Sequence, residues 1–120
     1  MLKRILILDD DPDTLDAIKE ILTYSGFEVR TSPSGTHLDE IIEEYNPHLL
    51  LLDMLLQGKN GGDICKELKL SEKTAGLKII LISAYPGLTG SHARYLCNDF
   101  LAKPFDMSVL IDKVNKVIDQ

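Results

Sequence analysis

The sequence predicts an α/β domain in which five βα units wind onto both faces of one parallel sheet. Three observations carry that expectation. Short runs rich in Ile, Leu and Val alternate along the chain with longer segments of helical period. Three of the runs, ILIL, LLLL and KIILI, are almost wholly apolar, as strands covered on both faces must be. A polar residue also stands directly behind each of four runs, at the end where open parallel sheets bind ligands.

In chain order, the first strand is expected at Ile5–Leu8. The first helix follows over Pro12–Ser25, with Pro12 in the first turn, where a missing N–H costs nothing, and Leu15, Ile18 and Leu22 on one face. Gly26 stands where helices commonly stop. The second strand, Phe27–Thr31, sets Glu28 and Arg30 between apolar neighbours and so belongs at an edge, whereas the first, third and fourth strands belong in the centre. Leu38, Ile41, Ile42 and Tyr45 mark a second helix that ends before Asn46-Pro47. The third strand is Leu49–Leu52, and Ile64 and Leu68 mark a third helix. Lys78–Ile82 is the fourth strand. Between Leu88 and Asn98 a fourth helix is weakly encoded, because Gly90, Ser91, Asn98 and the preceding Gly87 lower helical preference, and mobility is expected there. Phe100–Ala102 is the fifth strand. The last helix carries Met107, Leu110, Ile111, Val114 and Ile118 as a core-facing stripe, with Asp106 as its N-cap.

At 120 residues the chain has the length of one domain, expected over 1–120, able to bury roughly two-thirds of its unfolded surface. The formal charge of -6 argues against a surface built to neutralise phosphates, so direct nucleic-acid binding is not expected. Cys65 and Cys97 lie far apart in sequence with no CxxC spacing, which gives neither zinc nor a disulfide framework any support and makes a reducing cytoplasm the expected setting. The opening MLKRILIL has an apolar run too short for a signal peptide or a membrane span.

The strand ends hold the chemistry. Asp9, Asp10 and Asp11 follow the first strand, Asp53 follows LLLL, Ser83 follows KIILI, and Lys103 follows FLA ahead of Pro104. Carboxylates gathered in one crevice repel one another and call for a hard cation with oxygen ligands. Magnesium suits such a site, since it binds through one or two carboxylates and leaves positions for water and phosphate oxygens. Lys103 can pair with Asp53 at rest and with phosphate later, and Ser83 can donate one hydrogen bond to the same oxygens. Each feature alone has a plainer reading. An acidic run before a helix is a cap, and Asp11 beside Pro12 is read as that; a lone Asp or Ser behind a strand is a turn or capping residue. Their joint occurrence behind separate strands favours a site.

These segments resemble a known family. ILILDDDPD, LLLLDMLLQGKNGG, IILISA and FLAKPF are similar to the corresponding stretches of the receiver domain of two-component response regulators, the chemotaxis receiver among them, over essentially the whole chain. The resemblance implies a flavodoxin-like (βα)5 fold of strand order 2-1-3-4-5. It implies that Asp53 is the phosphoacceptor and that magnesium is held by Asp10, Asp53, the backbone carbonyl of Leu55 and, through water, Asp9. Ser83 and Lys103 would bind phosphoryl oxygens, Ser83 and Phe100 would act as the switch pair, and the peptide before Pro104 would be cis. A sensor histidine kinase or phosphotransfer protein would supply the phosphoryl group. An effector would dock on the helix between Leu88 and Asn98, the fifth strand and the last helix, and the family is compatible with a homodimer. The chain would be a switch that assists its own phosphorylation and dephosphorylation, not an enzyme acting on others.

Gln57 stands where the family usually has proline, so a looser loop is expected after Asp53. Cys97-Asn98 replaces a frequent Gly-Ala, which implies altered geometry of the fourth helix. Leu55 and Tyr85 occupy positions that tune water access to the aspartyl phosphate; both are bulky, and a long-lived phosphoryl state is expected. Three other functions compete. An aspartyl-nucleophile phosphatase would resemble DxDxT/V, but the fifth position is Asp13 counted from Asp9 and Leu15 counted from Asp11. A flavin-binding protein would need a Ser/Thr/Gly-rich turn where this chain is anionic. An unphosphorylated binding module would have no use for the intact acidic set. His37, His48 and His92 are read as surface or packing residues and Cys65 as a small buried hydrophobe.

Overall fold

The structure, a computed structural model, describes residues 2–56, 58–84 and 95–120. Five strands form one parallel sheet: β1 (Arg4–Leu8), β2 (Glu28–Ser32), β3 (Leu49–Asp53), β6 (Lys78–Ser83) and β7 (Asp99–Ala102), in the order β2-β1-β3-β6-β7. The short strands β4 (Leu55–Leu56) and β5 (Lys59–Asn60) form a separate antiparallel ribbon. Renumbered among the five, the sheet order is the 2-1-3-4-5 expected from sequence. The three apolar runs occupy its centre and β2 lies at an edge.

Alternation along each strand sorts the apolar residues onto two faces. Leu6, Leu8, Leu50, Leu52, Ile79 and Leu81 pack on one side against α2 (Leu38–Tyr45) and α3 (Gly61–Leu70). Ile5, Ile7, Leu49, Leu51, Ile80 and Ile82 pack on the other against α1 (Pro12–Tyr24) and α4 (Met107–Ile118). The first two helices agree with their expected ranges to within a residue, and α3 contains the expected Ile64 and Leu68. In α4 the stripe differs: Leu110, Val114 and Val117 are buried, while Met107 is exposed and Ile118 only half-buried. Positions spaced by four and three follow the helical period, so Val117 takes the place that Ile118 would occupy only by rotation of the last turn. Asp106 precedes α4 as expected, but its side chain makes no capping hydrogen bond.

Asp11 caps α1, accepting from the Asp13 N–H and the Thr14 hydroxyl. At the other end Ser25 closes the helix and Gly26 turns the chain at φ 97, a left-handed conformation that glycine adopts without a Cβ clash. The loop expected to be loose after Asp53 is organised on both sides of Gln57, which itself lies outside the described residues. Leu55 pairs with Asn60 and Leu56 with Lys59 in the ribbon, and the Asn60 side chain accepts from the N–H groups of Gly62 and Asp63 to cap α3. Most of the fourth helix expected between Leu88 and Asn98, with Tyr85 and His92, also lies outside the described residues. From Tyr95 onward the chain is pinned: Asn98 donates its N–H to the Ile79 carbonyl, and its side-chain oxygen accepts the Ile79 N–H at 2.9 Å. His48 does similar work at the start of β3, where Nδ1 accepts the Arg4 N–H. Among the described residues no helix is long and apolar enough to cross a membrane.

Candidate phosphoacceptor and metal site

Parallel register brings the site together. Leu8 lies beside Leu52, Asp53 beside Ile82, and Ser83 beside Ala102. Asp9, Asp53, Ser83 and Lys103 therefore emerge at one sheet edge, each supplied by a different strand. The strands also bury their ends: Asp9 and Ser83 are each 1% exposed and Asp53 8%, while Asp10 lies at the exposed mouth.

Carboxylate oxygens of Asp9, Asp10 and Asp53 lie within 4.8 Å of one another. Lys103 Nζ sits 3.0 Å from Asp9 Oδ2 and 3.8 Å from Asp53 Oδ1. It thus pairs with the Asp53 expected from sequence and lies closer still to Asp9. The other oxygen of Asp9 accepts the Asp11 N–H at 2.9 Å, so that carboxylate is held from two directions. Asp53 is less well compensated. Loss of water and the neighbouring Asp9 charge push its pKa from 3.8 up to about 6, against the opposing pull of Lys103 and of a hydrogen bond from the Leu55 backbone. Among the described residues, the three carboxylates and the Lys103 ammonium group form a crevice of oxygen donors, a set suited to a hard divalent cation.

The supporting residues differ in how readily sequence reveals them. Ser83 closes β6, and its carbonyl accepts the Lys103 N–H at 2.7 Å, which fixes the lysine segment against that strand. The Lys103–Pro104 peptide is cis. Phe100 is already packed inward, buried in the cluster that contains Tyr95, Cys65 and Cys97. Leu55 lies in the ribbon and is 48% exposed. Gly61 was not singled out from sequence, although it stands within the GKNGG stretch. Its N–H donates to the Met54 carbonyl at 2.6 Å, and a Cβ there would lie 2.1 Å from the Asp53 carbonyl oxygen. Only the missing side chain lets α3 start directly against the acidic strand end.

The family model for the response regulator receiver domain matches residues 5–115. The chain belongs to this family. It is a receiver domain of the two-component response regulators. Over 117 residues it is 27% identical to the DNA-binding dual master transcriptional regulator RpaA of Synechocystis, a match covering 96% of this chain and 48% of that protein. The receiver spans about half the length of the curated relatives it matches. Among solved structures, one from Chloroflexus aurantiacus described as a response regulator superposes with a TM-score of 0.92 at 28% identity, covering all of both chains. A chemotaxis-receiver-like domain from Methanospirillum hungatei gives 0.88 at 29% identity, covering 99% of this chain and 95% of the other. The competing phosphatase reading loses one of its nucleophiles, because both carboxylate oxygens of Asp11 are engaged in capping α1.

Proposed function

We propose that this receiver accepts a phosphoryl group on Asp53 from the phosphohistidine of a sensor histidine kinase or phosphotransfer protein, and thereby switches a partner-binding surface. The supporting observation is the placement of Asp53: at a buried strand end, among two further carboxylates, with Lys103 Nζ 3.8 Å away. In this reading Mg2+ is held by Asp10, Asp53, the Leu55 carbonyl and, through water, Asp9, and when bound it offsets charge on the transferring oxygens. Asp53 attacks as the carboxylate, Lys103 shifts its contact toward the new phosphoryl oxygens, and Ser83 donates a hydrogen bond to them. Those contacts exist only with phosphate present, so they favour the conformation that makes them. Phe100 then stabilises that conformation from its inward position on β7, and the effector docks on the surface of β7, α4 and the segment before them. The reading covers one domain over 1–120 acting in the cytoplasm, a switch that assists its own phosphorylation and dephosphorylation but is not an enzyme on other substrates, with no direct nucleic-acid contact and with a homodimer allowed.

The test is intact mass after incubation with acetyl phosphate, with and without Mg2+, beside an Asp53→Asn variant. A Mg2+-dependent gain of one phosphoryl group, absent in the variant, is expected. No gain in either protein would overturn the reading in favour of an unphosphorylated binding module. The phosphorylated form is expected to be long-lived with bulky Leu55 beside the site; decay of the isolated protein within seconds would refute that.

A further inference from the structure

At the end of the sheet opposite the acidic crevice, the parallel register gathers the starts of the central strands. Lys3 stands directly ahead of β1, His48 directly ahead of β3, and Lys78 opens β6. The His48 N–H donates to the Arg4 carbonyl at 2.8 Å, and Nδ1 of the same residue accepts the Arg4 N–H at 2.9 Å, so these two strand starts are locked together. The α3–β6 connection adds Lys73 and Leu77, and the end of α4 adds Ile118. These residues line a cavity of about 350 Å³, within the range of small-ligand sites.

Every formally charged residue on this lining is a lysine: Lys3, Lys73 and Lys78. The chain as a whole carries 19 acidic residues against 13 lysines and arginines, so the cavity reverses the sign of the molecule locally. Lys78 Nζ is fixed by main-chain oxygens at the end of α4, those of Ile118, at 3.0 Å, and Gln120. The other two differ. Among the described residues the ammonium groups of Lys3 and Lys73 make no hydrogen bond or ion pair. His48 registers the same field: burial, then the charges of Arg4 and Lys3, hold its pKa below the ordinary value. Cations gathered without a counter-charge repel one another, and a bound anion relieves that repulsion.

We propose that this cavity is a binding site for a small anion carrying a diphosphate group. Lys3 and Lys73 supply the attraction as unpaired cations, and two linked phosphates engage both at once, which a single carboxylate does not. A nucleic-acid strand fits the cavity less well, because its affinity comes from many phosphates along an extended basic surface, whereas here the positive charge is confined to one cavity in a chain of formal charge -6. The site is separate from the phosphoacceptor, since it lies at the amino ends of strands whose carboxyl ends carry Asp53 and Ser83. The diphosphate can be the inorganic ion or part of a nucleotide; Leu77 and Ile118 add apolar surface that a nucleoside would cover.

The full chain, without Mg2+, is titrated at constant ionic strength with pyrophosphate and separately with ADP and AMP, and read by amide NMR shifts. Saturable shifts with pyrophosphate are expected at the amides of Lys3, His48, Gly76 and Lys78. Lys3→Gln combined with Lys73→Gln is expected to weaken binding about tenfold. Lys19→Gln combined with Lys66→Gln removes the same charge outside the cavity and is expected to weaken it by about twofold or less. All four lysines are exposed, so both double variants are expected to fold, and their amide spectra report it directly. ADP binding at the same amides at least as tightly as pyrophosphate assigns a nucleoside diphosphate, and weaker ADP binding assigns the inorganic ion. The proposal is overturned if pyrophosphate gives no saturable shift at these amides, if the control pair weakens binding as much as the Lys3 and Lys73 pair, or if AMP binds as tightly as ADP.

Discussion

Asp53 stands at the end of β3 with less compensation than its neighbour Asp9, which takes the nearer ammonium contact of Lys103 and a backbone N–H. The consequence is a linkage between pH and stability. The folded state keeps the Asp53 proton until about pH 6, whereas the unfolded chain releases it near 3.8. The stabilising contribution of that proton is thus complete below 3.8 and is lost as pH rises through about 6. The full displacement corresponds to ~3 kcal/mol, and water at the mouth of the crevice screens part of it. Without metal and at mildly alkaline pH, Asp53→Asn is expected to stabilise the fold by about 1–2 kcal/mol in urea denaturation; destabilisation by the variant would contradict this electrostatic account. Mg2+ is expected to raise the wild-type melting temperature and to have much less effect on the variant. Gly61 sets the opposite limit. A methyl group there meets the Asp53 carbonyl at 2.1 Å, so Gly61→Ala is expected to cost about 1–3 kcal/mol, with a matching drop in the urea midpoint. The acidic residues, Ser83 and Lys103 were legible because each stands directly behind an apolar run. The requirement at Gly61 was not, because it arises from the distance between a helix start and a carbonyl on another strand.

Elements were legible to the extent that their pattern is internal. Continuous apolar runs mark β1, β3 and β6 because burial on both faces leaves no room for polar side chains, and the periodicity of α1 and α2 locates them to within a residue. The β4–β5 ribbon has no such signature: two residues on each side are too few to show a period, and its pairing depends on the turn around Gly58 at φ 81. The segment entering β7 was read from its residue preferences as a weak helix. Asn98, which lowers that preference, is instead a bridge that pairs with the Ile79 main chain in both directions. Asn98→Ala removes the acceptor of the Ile79 N–H and leaves that donor part-buried beneath the sheet edge. The expected loss is about 1–3 kcal/mol by urea denaturation. A loss no larger than that of an exposed Asn→Ala control would show that water replaces the bridge without penalty.

At the scale of the whole molecule, sheet order decides which parts are firmly held and which are free to respond. β1, β3 and β6 are each paired on both sides and sandwiched between the two apolar clusters, whereas β2 and β7 have one strand neighbour each. The edge strand β7 carries Phe100 and leads into Lys103, so residues proposed to respond to phosphorylation lie on the less restrained side of the sheet. Asp53 closes the central β3. Acceptor and responder are thus separated by one strand, β6, whose last residue is Ser83. Local opening free energy follows buried contact and strand pairing, so native-state hydrogen exchange is expected to be slowest in β1, β3 and β6 and faster in β2 and β7. Phosphorylation with Mg2+ is expected to slow exchange along β7 and in the chain from Ala102 to Phe105, because new contacts at Ser83 and Lys103 restrain that edge, while the central strands change little. A uniform rise in protection across all five strands would instead mean that the phosphoryl group stabilises the fold as a unit and drives no local shift. Protection confined to the turn after Asp53 would place the response in the β4–β5 ribbon and α3, and would remove Phe100 from the switch.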